Sequence, residues 1–199
     1  MPFEGPATDD TRIQVSWNQL VGDETGGSTI LSYNLEMQIG GVFNELVGQT
    51  TYFQSTSYLI QAGISSGQLY AFRVRARNKW GFGPYSDVVQ IRAATNPNRE
   101  LTAPVTANDG GKILIAWSKP QDRGSPIEEY EIAILTSDGI SFSTELQFCN
   151  GEDPAIVSSR SCQIPLTTLR EEPFNLVYPN LVVAKVRSKN GVGWSDFSN

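Results

Sequence analysis

The sequence predicts an all-β protein of two tandem antiparallel β-sandwiches, the second lacking its last strand. Three observations lead there. Apolar and polar residues alternate with period two in short runs such as Ile13-Gln14-Val15-Ser16-Trp17, the pattern of a half-buried strand. Gly, Pro, Asn and Ser cut these runs, and no segment carries a helical stripe. The pattern also repeats: one hundred residues after Trp17, Ile113-Leu114-Ile115-Ala116-Trp117 has the same shape. A repeat near ~100 residues built only of strands suits a sandwich better than a solenoid of small units.

The remaining elements follow in matched order. Residues 29–35, around Tyr33, correspond to 125–132, around Tyr130. Tyr70-Ala71-Phe72-Arg73-Val74-Arg75-Ala76-Arg77-Asn78 corresponds to Val182-Val183-Ala184-Lys185-Val186-Arg187-Ser188-Lys189-Asn190. Trp17 and Trp117 are expected to anchor two cores, with Tyr33, Tyr70, Phe72 and Val74 in the first and Tyr130, Ile132, Ala184 and Val186 in the second. Thr95-Asn96-Pro97-Asn98-Arg99 breaks the strands, because proline cannot donate to a ladder and Asn favours turns. The domains therefore read as 1–96 and 97–199, joined by a short linker that Pro97 stiffens.

Composition narrows the chemistry. Of the 199 residues, 39% are hydrophobic and 18% charged, enough for real cores and too little charge for a disordered chain. The net charge is −6, with 6 basic and 8 acidic residues before Pro97 and 9 and 13 from there on, so neither half has a basic face for nucleic acid or anionic membrane. No apolar run reaches the ~20 residues of a membrane span, and Met1-Pro2-Phe3 does not open a signal peptide. Histidine is absent, which removes the Ser-His-Asp triad, His-ligated zinc and imidazole acid–base chemistry. Glu128-Glu129, Glu171-Glu172 and Asp9-Asp10 read as solvated acids of turns and strand ends, and Ser65-Ser66 and Ser158-Ser159 have no base partner. No catalytic residue, metal site or cofactor is expected.

Four marks give the chain a resemblance to tandem fibronectin type III domains, and it covers nearly the whole length. They are the strand-end Trp17 or Trp117 followed by a Gly-Ser turn into a Tyr strand, the run Phe43-Asn44-Glu45-Leu46-Val47-Gly48, the Ile64–Tyr70 spacing, and Asn78-Lys79-Trp80-Gly81-Phe82-Gly83-Pro84-Tyr85-Ser86. The resemblance implies an immunoglobulin-like sandwich. It also implies a tyrosine corner in which a buried Tyr70 ties its strand to the preceding loop. Val182 stands at that position in the second domain, so the corner bond should be missing there.

The second domain departs further. A surplus of 12 residues falls in the stretch from Cys149 to Phe174, and Asn199 aligns with Asp87, before the residues that form the last strand of the first domain. Strand Val182–Asn190 should then present an open edge, a template for strand pairing with downstream residues or a neighbouring copy. This half is similar to the Cys-bearing fibronectin-like repeats of large protist surface proteins. Cys149 and Cys162 read by themselves as buried thiols, half a metal site or a disulfide, and the extracellular resemblance favours the disulfide.

Two surface features invite a binding reading. Arg73, Arg75 and Arg77 alternate with apolar residues and face outward, and Lys185, Arg187 and Lys189 repeat the arrangement. Beside the second set, Trp194-Ser195-Asp196-Phe197-Ser198 resembles a relaxed cytokine-receptor box, whose rings interleave with strand cations. Otherwise these are solvated charges with local cation–π contacts. Trp80, Phe82 and Tyr85 form a possible interaction loop, or fold back on the domain. The resemblance implies a non-enzymatic structural or adhesion segment of a larger extracellular or cell-surface protein, with other proteins or copies of itself as partners. A receptor ectodomain, or an accessory module of a secreted carbohydrate-active enzyme, is the alternative.

Overall fold

The computed structural model describes residues 1–199 and separates them into two compact units, Met1–Thr95 and Asn96–Asn199. The first unit contains β1 (Pro2–Glu4), β2 (Ile13–Trp17), β3 (Ser32–Ile39), β4 (Val42–Val47), β5 (Ser57–Ile60), β6 (Leu69–Asn78), β7 (Gly81–Phe82) and β8 (Val89–Arg92). One sheet runs β1-β2-β5. The other runs β4-β3-β6, with β7 and β8 both pairing along the far edge of β6. All pairings are antiparallel, so each unit is an immunoglobulin-like sandwich whose sheets bury one face each.

Alternation decides which side chains meet. In β2, Ile13, Val15 and Trp17 are buried and pack with Tyr33, Leu35, Met37, Phe72 and Val74 from the facing sheet. Burying each such aliphatic or aromatic side chain contributes about 1.5–3 kcal/mol. Tyr33 and Trp17 lie with ring centroids 5.8 Å apart, and the Tyr33 hydroxyl accepts the Leu20 N–H at 3.0 Å. Tyr70 differs from expectation: it is half-buried, packed at the margin of this core. It stands near the start of β6, where the sheet ends and its hydroxyl reaches the surface loop.

The second unit contains β9 (Val105–Asp109), β10 (Lys112–Ala116), β11 (Ile127–Leu135), β12 (Phe142–Thr144), β13 (Ser161–Pro165) and β14 (Ala184–Asn190). Its sheets run β13-β10-β9 and β12-β11-β14. Trp117, Tyr130, Ile132, Ala184 and Val186 are all in its core, together with Leu169 and Phe174 from the inserted stretch and Leu176 just beyond it.

Two findings correct the sequence reading. The insertion holds short helices, α1 (Pro154–Ser159) and α2 (Leu166–Leu169), too brief to show a stripe. Asp153 caps α1 by accepting the Ala155 N–H at 2.8 Å, and Pro154 opens it where no N–H is needed. The edge of β14 is also less open than expected. Asn190 Oδ1 accepts the N–H groups of Val192 and Gly193, and this tight turn folds residues 194–198 back along the strand. Ser195 N–H then donates to Ser188 O, and Ser198 N–H to Val186 O at 2.7 Å. Only Val182–Ala184 lies beyond this cover, and there Thr106 Oγ1 donates to Val182 O.

The same lock appears in both units. Val74 N–H donates to Ser86 Oγ at 3.1 Å while Ser86 N–H donates to Val74 O at 2.8 Å. Val186 and Ser198 repeat it at 3.1 and 2.7 Å. Each serine thus closes two bonds to the same residue, one through its side chain.

Candidate functional site

The cations of β6 stand on the solvent face of its sheet, and aromatic rings fill the gaps between them. Arg73 lies between Phe43 and Tyr85, 4.1 and 3.8 Å from the ring centroids. Arg75 lies between Phe82 and Tyr85 at 4.1 and 4.3 Å, and Arg77 between Tyr52 and Phe82 at 5.3 Å from each. Carboxylate and amide groups from β3 anchor the row from below. Arg73 Nε donates to Glu36 Oε2 at 2.8 Å, and Arg75 Nε to Asn34 Oδ1 at 2.9 Å. Tyr85 donates to Glu36 Oε1 at 2.5 Å.

Glu36 is only 6% exposed, so its charge is balanced by a guanidinium and a phenol. Burial, and then the hydrogen bond to Glu36 and that carboxylate's charge, raise the Tyr85 phenol above its ordinary value of 10.0. Asn34 and Glu36 were not singled out from sequence. The available signal was their alternation with Tyr33, Leu35 and Met37, which turns both toward the arginine face of the neighbouring strand.

The second unit builds an equivalent row on β14. Lys185 sits over Phe142 and Phe197, Arg187 between Trp194 and Phe197 at 4.7 Å from each, and Lys189 over Trp194. Arg187 pairs with Glu131, and Lys189 Nζ with Glu129 Oε2 at 3.0 Å. That hydrogen bond, with the Glu129 charge behind it, raises the Lys189 pKa. Glu129 is therefore an ion-pair member within β11, where the sequence had suggested a solvated acid.

The other expected sites fall as follows. Tyr70 hydroxyl accepts the Ser65 N–H at 2.7 Å and donates to Gly63 O at 3.3 Å, a corner that Val182, packed against the second core, does not reproduce. Phe82 and Tyr85 fold back onto the arginines, whereas Trp80 projects with 75% of its surface exposed and Lys79 over its ring. Trp80 borders an open groove of about 600 Å³ whose floor includes Leu20, Ile30 and Tyr33. Cys149 and Cys162 are joined as a disulfide, both buried in the second core. It pins the loop carrying α1 to β13, the strand that pairs with β10. No three His, Cys, Asp or Glu side chains converge as a metal site would require.

Two small sandwiches with ordered cation–aromatic faces define this as a protein of immunoglobulin-like β-domains. Residues 3–92 match the family model described as fibronectin type III domain. The first unit is thus a fibronectin type III domain, and the second repeats its strand plan. Fibronectin type-III domain-containing protein 3a of Gallus gallus is 31% identical over 139 residues, 69% of this chain and 11% of that protein. Neural cell adhesion molecule 1 of Bos taurus is 28% identical over 168 residues, 77% of this chain and 19% of that protein. The chain thus spans about a tenth to a fifth of these curated relatives. A crystal structure of chicken CNTN1 FN1-FN3 domains aligns with 100% of this chain and 64% of its own, at a TM-score of 0.49 and 16% identity.

Proposed function

We propose that this chain is a non-catalytic, load-bearing spacer and adhesion segment of a larger extracellular or cell-surface protein. The observation that carries the reading is the doubly anchored row on β6 and again on β14. In each, cations wedged between rings and tied to carboxylates of the adjacent strand cross-link the long central strands beyond their backbone ladder. The Cys149–Cys162 disulfide suits an oxidising compartment, and a relative named for cell adhesion fits the same role.

The resemblance of residues 194–198 to a cytokine-receptor box favours a receptor reading less. The first unit forms an equivalent row from Phe43, Phe82 and Tyr85 without any such box. The row therefore serves the sheet before it serves a ligand.

Pulling the chain between handles at its ends tests the role. Two discrete unfolding events are expected, each releasing about 30 nm at ~3.6 Å per residue. The second should lengthen by about 4 nm once reductant opens the 13-residue span between the cysteines. Gradual extension without two events would refute a load-bearing role.

A further inference from the structure

The outer edge of β4 has the pattern of a strand that fits a copy of itself. The turn joining β3 to β4 is Gly40-Gly41, with φ of 59° and 84°, as in a type I′ hairpin. In that hairpin the flanking residues, Ile39 and Val42, exchange backbone bonds. Alternation then makes Asn44 bond inward to Met37, while the N–H and C=O groups of Phe43 and Glu45 point outward. β4 is the last strand of its sheet, and no backbone bond from a loop reaches those four groups. The six-residue strand contains no proline or lysine, and Val42 is 65% exposed beside an Ile39 that is 57% exposed. Natural edges are usually blunted by proline, lysine or bulges; here the bulge lies only at the far end of β4, where Glu45 and Val47 pair with the successive residues Glu36 and Leu35.

We propose that two copies of this chain pair antiparallel through β4, about a two-fold axis at Asn44. Facing residues must share a sheet face, so the axis passes through a residue rather than between two. Centred on Glu45, the pairing sets two carboxylates against each other. Centred on Phe43, it uses only one outward residue per copy. Centred on Asn44, it matches Phe43 of each copy with Glu45 of the other and closes four backbone hydrogen bonds.

That register is complementary in its side chains as well. Val42 meets Leu46 of the second copy, and the two Asn44 amides face each other, each with one N–H held by its own Val42 O and the other free to donate across the axis. Glu45 of the second copy lies beside Phe43, whose ring holds the Arg73 guanidinium 4.1 Å from its centroid. Opposite charges therefore share each side of the axis across the Phe43 ring, through the Glu45 oxygen left after Oε1 accepts the Gln49 and Thr50 N–H groups. The contact is small, so association is weak and concentration-dependent. It adds a lateral contact to the spacer role and does not depend on it.

Cysteine scanning of the full chain tests the register. Asn44 and its counterpart form a non-hydrogen-bonded pair with Cα atoms about 4.5 Å apart, within the ~4.4–6.8 Å that a disulfide spans. Asn44→Cys should cross-link into dimers under mild oxidation. Val42→Cys should stay monomeric, its counterpart lying four positions away, roughly 13 Å along the strand. Both positions are exposed, so both variants should fold. In sedimentation, the unmodified chain should dimerise with rising concentration, and Asn44→Asp should weaken this at least ~10-fold by facing two carboxylates. Equal cross-linking of the two cysteine variants overturns the proposal, as does an unmodified chain that stays monomeric at ~1 mM.

Discussion

Replacing Gly151 by alanine would place a methyl group 1.8 Å from the carbonyl oxygen of Tyr130. An ordinary contact needs more than ~3 Å, so the backbones must separate by over ~1 Å. That movement breaks the hydrogen bond from Tyr130 N–H to Gly151 O, now 3.0 Å. Tyr130 is buried, so its amide would lose a partner where water does not reach, at about 1–3 kcal/mol. Overpacking against the Ile132 side chain, 3.1 Å from the same methyl, adds about 1–3 kcal/mol. The loop cannot simply swing aside, because Cys149, two residues earlier, is tied to Cys162 in β13. Together these give a loss of about 3 kcal/mol or more in the second unit, or a midpoint lower by roughly 12 °C or more for a domain of this size. Thermal unfolding followed by Trp fluorescence reads this out, since Trp117 and Trp194 belong to the second unit and Trp17 and Trp80 to the first. A second-unit midpoint within a few degrees of the parent would refute the close-packing argument. So would a shift confined to the first unit.

Tyr70→Phe should destabilise the first unit by about 1 kcal/mol, because the Ser65 amide loses its acceptor at a site water partly reaches; an unchanged urea midpoint would count against the corner. The raised Tyr85 phenol ties stability to alkaline pH. With its folded pKa above the unfolded value near 10, the native state holds the proton more tightly, so its contribution is complete below pH 10 and is lost as pH rises through the folded value. Urea titrations of the parent and of Tyr85→Phe between pH 9 and 11 should converge as pH rises, at about the ordinary tyrosine pKa and above. Parallel profiles would show that the phenol titrates alike in both states.

What was legible in the sequence was local. Ile13–Trp17 and Ile113–Trp117 reveal their strands because a period of two is set by the backbone itself, and the repeat then supplies the fold class. The rings that flank the arginines were only half visible. Phe82 and Tyr85 lie a few residues from Arg77, but Phe43 and Tyr52 reach the same cations from another strand and loop. The Tyr85–Glu36 bond joins residues 49 apart, and only strand pairing brings them together. α1 could have been found from Asp153-Pro154, a capping residue followed by the proline that suits a first helical position. The Ser86 and Ser198 locks were hidden because a serine in a turn looks like any other until the strand beside it is known.

The cation–aromatic row has a consequence for any partner that meets it. A free arginine on a surface samples many rotamers, and holding it still on binding costs about 0.5–1.5 kcal/mol. Arg73 and Arg75 are already confined, each between two rings and against a group of β3. A ligand docking here would meet a surface whose shape is set beforehand, and would forfeit little further motion in forming the contact. The Arg73 charge is also partly spent on Glu36, and both cations on the ring faces, so such docking should depend on fit more than on ionic strength. A partner meeting this face would be selected by contour, as by a fixed template, and drawn little by long-range attraction.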